Sequence, residues 1–180
     1  FHLSTAIFII SIIFWLIKNI TSNNEKKFFK LSSNNFIFQI LLLIIFLQII
    51  LGAFVSGLDA GKIYNTWPLM NNNFYPDDIV FKSLNDFLDF NDRSLVQFYH
   101  RLLAYIVFLS SLTYGIYIFK KDKQLFSKYY LTFLLILLSQ ALIGIFTLIS
   151  DVNIYFASAH QLIGILLFLS FIRVVYSHNT

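Results

Sequence analysis

Five long stretches of this chain are nearly free of charge, and no water-soluble fold can hold them all. They cover residues 3–17, 36–58, 95–119, 129–150 and 152–176; their only basic side chains and histidines are His100, Arg101, His160 and Arg173, and they contain no acid. A helix that crosses a bilayer needs about 20 apolar residues, because about 1.5 Å of rise per residue must cover about 30 Å of hydrocarbon. A lone strand in lipid would leave its backbone groups unpaired, so each run predicts a helix. The first run is short and ends at Lys18. The chain is therefore predicted to be all-α, a polytopic membrane helical bundle with five transmembrane helices.

Composition excludes the soluble classes. Only 12% of residues are charged and the mean hydropathy is +0.73, whereas a soluble domain carries about a quarter of its residues charged. Disordered tails, collagen and nucleic-acid-binding chains are excluded with it. No cysteine is present, which removes disulfides, thiolate zinc sites, iron–sulfur clusters and thiol catalysis. Any metal must be held by His, Asp or Glu.

Charge placement predicts orientation, since Lys and Arg in short loops favour the cytoplasmic or matrix side. Lys18, Lys26, Lys27 and Lys30 separate runs one and two, and Lys120, Lys121, Lys123 and Lys128 separate runs three and four. Residues 59–94 hold Asp59, Asp77, Asp78, Asp86, Asp89 and Asp92 against Lys62, Lys82 and Arg93, and the last turn holds Asp151. The lysine loops are thus expected inside, the aspartate loops outside and the carboxyl terminus inside. The chain opens on Phe1 within an apolar run, without the basic region and cleavage site of a signal peptide. Missing upstream spans would explain an amino end that starts outside.

Three of the four histidines, His2, His100 and His160, fall near the outer ends of runs one, three and five. Ligating side chains inside a membrane are costly and ordinarily face a cofactor, a cavity or a partner. Each is followed at i+4 by a small residue, Ala6, Ala104 and Gly164. That gap suits either a porphyrin lying flat against the helix or close helix packing. Two imidazoles from different helices make a bis-histidine haem with no open iron position, an electron-transfer arrangement. His100 and His160 can supply that pair, whereas His2 needs a partner outside this chain. His178 has no assigned role. Arg101 needs an anion, either a haem propionate or an outer-loop aspartate.

An internal repeat runs through the pattern. Gln48, Gly52 and Phe54 in run two are matched in spacing by Gln140, Gly144 and Phe146 in run four, and each run precedes one with a histidine. Duplication and generic helix packing both account for it. The outer loop is long enough for a functional cover or a solvated connector. In it Tyr64 and Trp67 suit an interfacial aromatic belt, and residues 83–92 suit a short surface helix. No phosphate-binding glycine loop, two-histidine zinc helix or nucleophile elbow is present.

Residues 52–70 (GAFVSGLDAGKIYNTWPLM), 96–105 (VQFYHRLLAY) and 159–161 (AHQ) together resemble haem A synthases of the mitochondrial and alphaproteobacterial type. The resemblance implies eight spans in two four-helix halves, with this chain covering spans four to eight. Residues 1–20 would be the last helix of the amino-terminal half, and 35–180 the carboxyl-terminal four-helix haem b domain with outer loop 59–94. His100 and His160 would be the axial ligands of haem b, Arg101 would contact it, and His2 would serve the substrate haem O. The implied reaction is oxidation of a haem O methyl group to the formyl group of haem A with water as oxygen source, haem b relaying electrons. Haem O synthase, membrane lipid and the missing half are the expected partners, in a bacterial inner or mitochondrial inner membrane. This part alone is expected to bind haem b without turning over haem O. A membrane b-type cytochrome that only carries electrons is the alternative, and a haem-free proton-relaying transporter a third reading.

Overall fold

The computed structural model describes residues 2–23, 25–28, 36–79 and 83–178. Phe1, Lys30, Lys82 and the Leu84 side chain, all used in the sequence reading, lie outside the described residues. The helices are α1 (His2–Ser22), α2 (Phe36–Gly57), α3 (Arg93–Lys121), α4 (Lys123–Leu125), α5 (Leu131–Ile149) and α6 (Ile154–His178). One π turn, Phe126–Tyr130, joins α4 to α5, and single 3-10 turns cover Ala60–Lys62 and Leu84–Leu88. Five helical runs are long and apolar enough to cross a membrane, α4 to α5 counting as one.

Two boundaries differ from expectation. Helix α1 continues past Lys18, because Thr21 and Ser22 return their hydroxyls to the carbonyls of Ile17 and Lys18 at 2.9 and 2.6 Å. The expected lysine loop between the third and fourth spans is a single residue, Asp122. Its N–H donates to the Ile118 carbonyl at 2.7 Å and its carboxylate accepts from the Leu125 N–H at 2.9 Å, so one residue ends α3 with its backbone and caps α4 with its side chain. Lys120 and Lys121 therefore complete the last turn of α3, where the helix dipole favours cations.

Helix α2 packs chiefly on α3, and α5 on α6, giving two hairpins; α1 lies against α6 and α2. Their core is concentrated at the lysine end. Phe38, Ile45, Tyr130, Phe133, Phe171 and Ile172 are fully buried there. Because lipid is itself apolar, such contacts stabilise through close packing more than through the exclusion of water. Gly115 shows how close the packing is: a Cβ there would stand 2.9 Å from Tyr130 Cε1. Its absence lets Tyr130 lie against α3 and donate its hydroxyl to the Ser111 carbonyl at 2.9 Å. Lysines at this end lie over aromatic rings, Lys26 over Tyr176 at 4.9 Å and Lys121 over Tyr117 at 5.4 Å.

The other end carries the long loop. The surface helix expected over residues 83–92 is present as the short 3-10 turn Leu84–Leu88, opened by Ser83 N–H and Oγ bonds to the Asp86 carboxylate. Tyr99 of α3 holds it by donating to the Phe87 carbonyl at 2.7 Å. Phe87, Leu88 and Phe90 roof an apolar groove of about 560 Å³ on the outer surface of α2 and α3. Asp92 then caps α3 by accepting the Leu95 N–H at 2.9 Å.

Candidate functional site

His100 lies in the second turn of α3 and His160 in the second turn of α6. Each faces the first helix of its own hairpin and meets the same pair of residues there. Gln48 of α2 places its Nε2 3.1 Å from His100 Nδ1 and 3.4 Å from His100 Nε2, and donates to the His100 carbonyl at 3.0 Å. Gln140 of α5 places its Nε2 3.3 Å from His160 Nε2. One turn further on, glycine admits the ring. A Cβ at Gly52 would stand 3.2 Å from His100 Cε1, and one at Gly144 only 2.7 Å from His160 Cε1.

The internal repeat therefore has a physical meaning in its first two members. Gln and Gly, one turn apart, form a seat for the histidine of the following helix, once in each hairpin. The third member does not share it, since Phe54 and Phe146 are 42% and 48% exposed and meet Phe90 and Phe156 instead. Gly164 also changes its reading. A Cβ there would lie 3.2 Å from Gln140 Nε2, so this small residue makes room for the glutamine amide, not for a ring lying on α6.

The two imidazoles lie at the same end of the bundle, each in the second turn of its helix. Around them packing differs from that at the lysine end. No residue in 46–57 of α2, 98–106 of α3, 138–149 of α5 or 154–163 of α6 is fully buried. His160 Nδ1, Gln48 Oε1 and Gln140 Oε1 are buried polar atoms without a partner. Buried polar groups are ordinarily paired, so these atoms have room for a further partner. Seats that a Cβ would fill, an unpartnered ring nitrogen and two imidazoles on separate helices fit an iron porphyrin bound between α3 and α6.

Among the described residues Arg101 meets loop carbonyls and no outer-loop aspartate. Its Nη2 donates to the Tyr64 carbonyl at 2.7 Å and its Nη1 to those of Thr66 and Leu69 at 2.9 and 3.4 Å. Gln97, one turn earlier, donates to the same Tyr64 carbonyl at 3.0 Å. Both side chains thus clamp the loop over α3. Arg101 Nε and the hydroxyl of Tyr105, one turn on, are buried and unpartnered. The loop also spans the hairpins, with Asn65 donating to the Asp151 carboxylate and Gly61 packed on Val152.

Tyr64 departs from the interfacial belt expected of it. It is only 3% exposed, with its hydroxyl 2.6 Å from Asp77 Oδ1 and 2.7 Å from Asp78 Oδ1. Burial first, then the two carboxylates, push its phenol above the usual tyrosine range. Burial also acts on Asp78, to raise it, but hydrogen bonds from Ser94 and Tyr64 outweigh that and hold its carboxyl below the usual range. His2 is exposed in the first turn of α1, and Gln161 is exposed beside His160. The His178 ring meets Phe38 at 4.3 Å, at the lysine end.

The contact of each glutamine with a histidine lay outside the sequence reading, although the repeat was its visible signal. The model of the cytochrome oxidase assembly protein family matches residues 1–172. The heme A synthase of Pelagibacter ubique (strain HTCC1062) is 44% identical over 178 residues, which is 99% of this chain and 52% of that protein. The heme A synthase of Rickettsia felis is 39% identical over 174 residues, covering 93% of this chain and 50% of the relative, and that of Bartonella henselae is 33% identical over 168 residues, covering 92% and 46%. The chain spans about half the length of the curated relatives it matches. With a family match over nearly all of its length and identities of this size, the chain belongs to the cytochrome oxidase assembly protein family of the heme A synthases.

Proposed function

We propose that this chain is the haem-relay part of a haem A synthase, with His100 and His160 as axial ligands of a haem b. The observation that carries the reading is the duplicated seat of Gln, Gly and His, with both rings at the same end of the bundle. Zinc sites ordinarily use three or four protein ligands, and among the described residues no three His, Asp or Glu side chains gather to hold a bare metal ion. A porphyrin supplies the four remaining iron ligands itself. When bound, such a group accepts and passes on single electrons without opening a ligand position.

The chain's own residues supply orientation and shelter. Gly52 and Gly144 fix how deeply each ring is set, and the clamp of Gln97 and Arg101 holds the loop over that end of the bundle. Arg101 Nε and Tyr105 Oη are free to receive a carboxylate such as a haem propionate, which would reconcile Arg101 with the anion expected for it. Substrate oxidation converts a haem O methyl group and one water into a formyl group, releasing four protons and four electrons (R–CH3 + H2O → R–CHO + 4H+ + 4e−). His2 stands on the separate helix α1 and is assigned to the haem O side. His178 is at the opposite end, so His2 finds no second histidine among these residues, and this stretch alone binds haem b without oxidising haem O. Residues 35–180 are read as the haem b unit and 1–20 as a helix of the other half, with haem O synthase as the supplying partner.

The lysine end is assigned to the cytoplasm or matrix and the loop to the far side of a bacterial inner or mitochondrial inner membrane. Lipid at both boundaries is the remaining partner. The same mount would serve a b-type cytochrome that only carries electrons; similarity to heme A synthases along nearly the whole chain favours the first reading. A reduced-minus-oxidised spectrum of the purified chain with haem b, beside His100→Ala and His160→Ala, tests it. A low-spin b-type spectrum lost in either variant is expected. A spectrum intact in both overturns the ligand assignment.

A further inference from the structure

A histidine that gives one ring nitrogen to iron keeps its proton on the other, and that nitrogen can then only donate. Whatever accepts the proton fixes the rotation of the ring and sets how much electron density the ligand delivers to the metal. Carboxylates and main-chain carbonyls are the usual acceptors, but α2 and α5 contain no acid. The polar group facing each ring is a side-chain amide instead.

We propose that Gln48 and Gln140 are matched positioning residues, one in each hairpin, that orient the imidazoles of His100 and His160 through their side-chain amides. The proposal rests on the haem reading of the two histidines and goes beyond it. A carboxamide carries an acceptor and a donor that exchange places on a half-turn of its terminal torsion. In both glutamines Nε2 faces the ring and Oε1 is buried without a partner. For Gln140 the half-turn brings Oε1 to the ring as the acceptor that an iron-bound imidazole requires. Gly164 leaves space beside that amide, a Cβ there lying 3.2 Å from Gln140 Nε2.

The two mounts are not equal. Gln48 also holds the His100 carbonyl at 3.0 Å, so its amide is tied to both the ring and the backbone of α3. Among the described residues Gln140 has the His160 ring as its one polar side-chain partner. Gln48 can therefore turn its acceptor to the ring only by giving up the bond to that carbonyl, whereas Gln140 is free to turn and tunes its ligand. Gly52 and Gly144 complete the mounts by setting depth: a methyl group at either position meets Cε1 of the ring before it meets anything else.

The test uses the full chain loaded with haem b, with redox titration and low-temperature electron paramagnetic resonance of the oxidised form. Gln140→Leu removes the acceptor, makes His160 a poorer electron donor and is expected to raise the midpoint potential with haem retained. Gln140→Glu keeps the size and supplies a stronger acceptor, so its potential is expected to fall. Opposite shifts from one position cannot come from general loosening, and the Glu variant keeps the question open to refutation if Leu prevents folding. Gln48→Leu is expected to shift the largest g value as the His100 ring rotates. Potentials and g values unchanged in all variants, with haem still lost in His100→Ala and His160→Ala, would overturn the positioning role alone. Haem retained in both histidine variants would overturn the ligand reading and this inference together.

Discussion

Asn65, in the loop after α2, donates its side-chain amide to the carboxylate of Asp151, in the turn between α5 and α6. One hydrogen bond thus ties the loop of the first hairpin to the turn of the second, across the end of the bundle where His100 and His160 lie. Asp151 and Val152 hold that turn in left-handed conformations, with φ of 55° and 57°, which presents Val152 to Gly61.

Removing this tie with Asn65→Ala should cost about 1 kcal/mol, the usual net contribution of one hydrogen bond. Faster hydrogen exchange across residues 61–70 is expected, with little change in the helices. Equal protection of that loop in both proteins would show that Gln97 and Arg101 hold it unaided.

Glycine seats give a graded prediction. Gly144→Ala places a Cβ 2.7 Å from His160 Cε1, and Gly52→Ala one 3.2 Å from His100 Cε1. The tighter site cannot relax by small shifts, so haem content per chain, read from the Soret band, should fall further in Gly144→Ala. The reverse order would mean that α5 moves more easily than α2.

At the lysine end, Gly115→Ala forces a Cβ to within 2.9 Å of Tyr130 Cε1. Overpacking of this kind costs about 1–3 kcal/mol. Tyr130→Phe removes only the bond to the Ser111 carbonyl, worth about 1 kcal/mol. Both variants should melt at lower temperature with haem spectra unchanged, and a spectral shift in either would show that the two ends are coupled.

The loop should respond to pH in opposite directions at its two ionisable partners. Tyr64 is raised in the folded state, so its contribution is whole below the ordinary tyrosine value of about 10 and is lost as pH climbs past it. Asp78 is lowered, so its contribution is present above the ordinary carboxylate value of about 4 and is lost on acidification below it. Melting curves of Tyr64→Phe should therefore lose the alkaline decline seen in the unsubstituted chain and keep much of the acid one.

What the sequence showed and what it hid divide along physical lines. Apolar runs made the five helices visible because span length is dictated by the bilayer, and His100 and His160 stood out because polar groups there are costly. The glutamine seats were visible only as a repeat. Their function depends on helix register, which places Gly144 and not a neighbour against the His160 ring. Tyr64 was misread because its burial comes from Asp77 and Asp78 folding back over it, a matter of loop path. Of the two anions offered for Arg101, the outer-loop aspartate is replaced by carbonyls, because a bent loop turns three of them towards one guanidinium. The single-residue link at Asp122 was hidden because lysines near a helix end do not stop the helix.

That link restricts how the bundle can move. With only Asp122 between α3 and α4, the hairpins cannot separate at the lysine end without unwinding a turn of helix. Jaws joined at one corner part most readily at the other, and the bond between Asn65 and Asp151 closes that far corner.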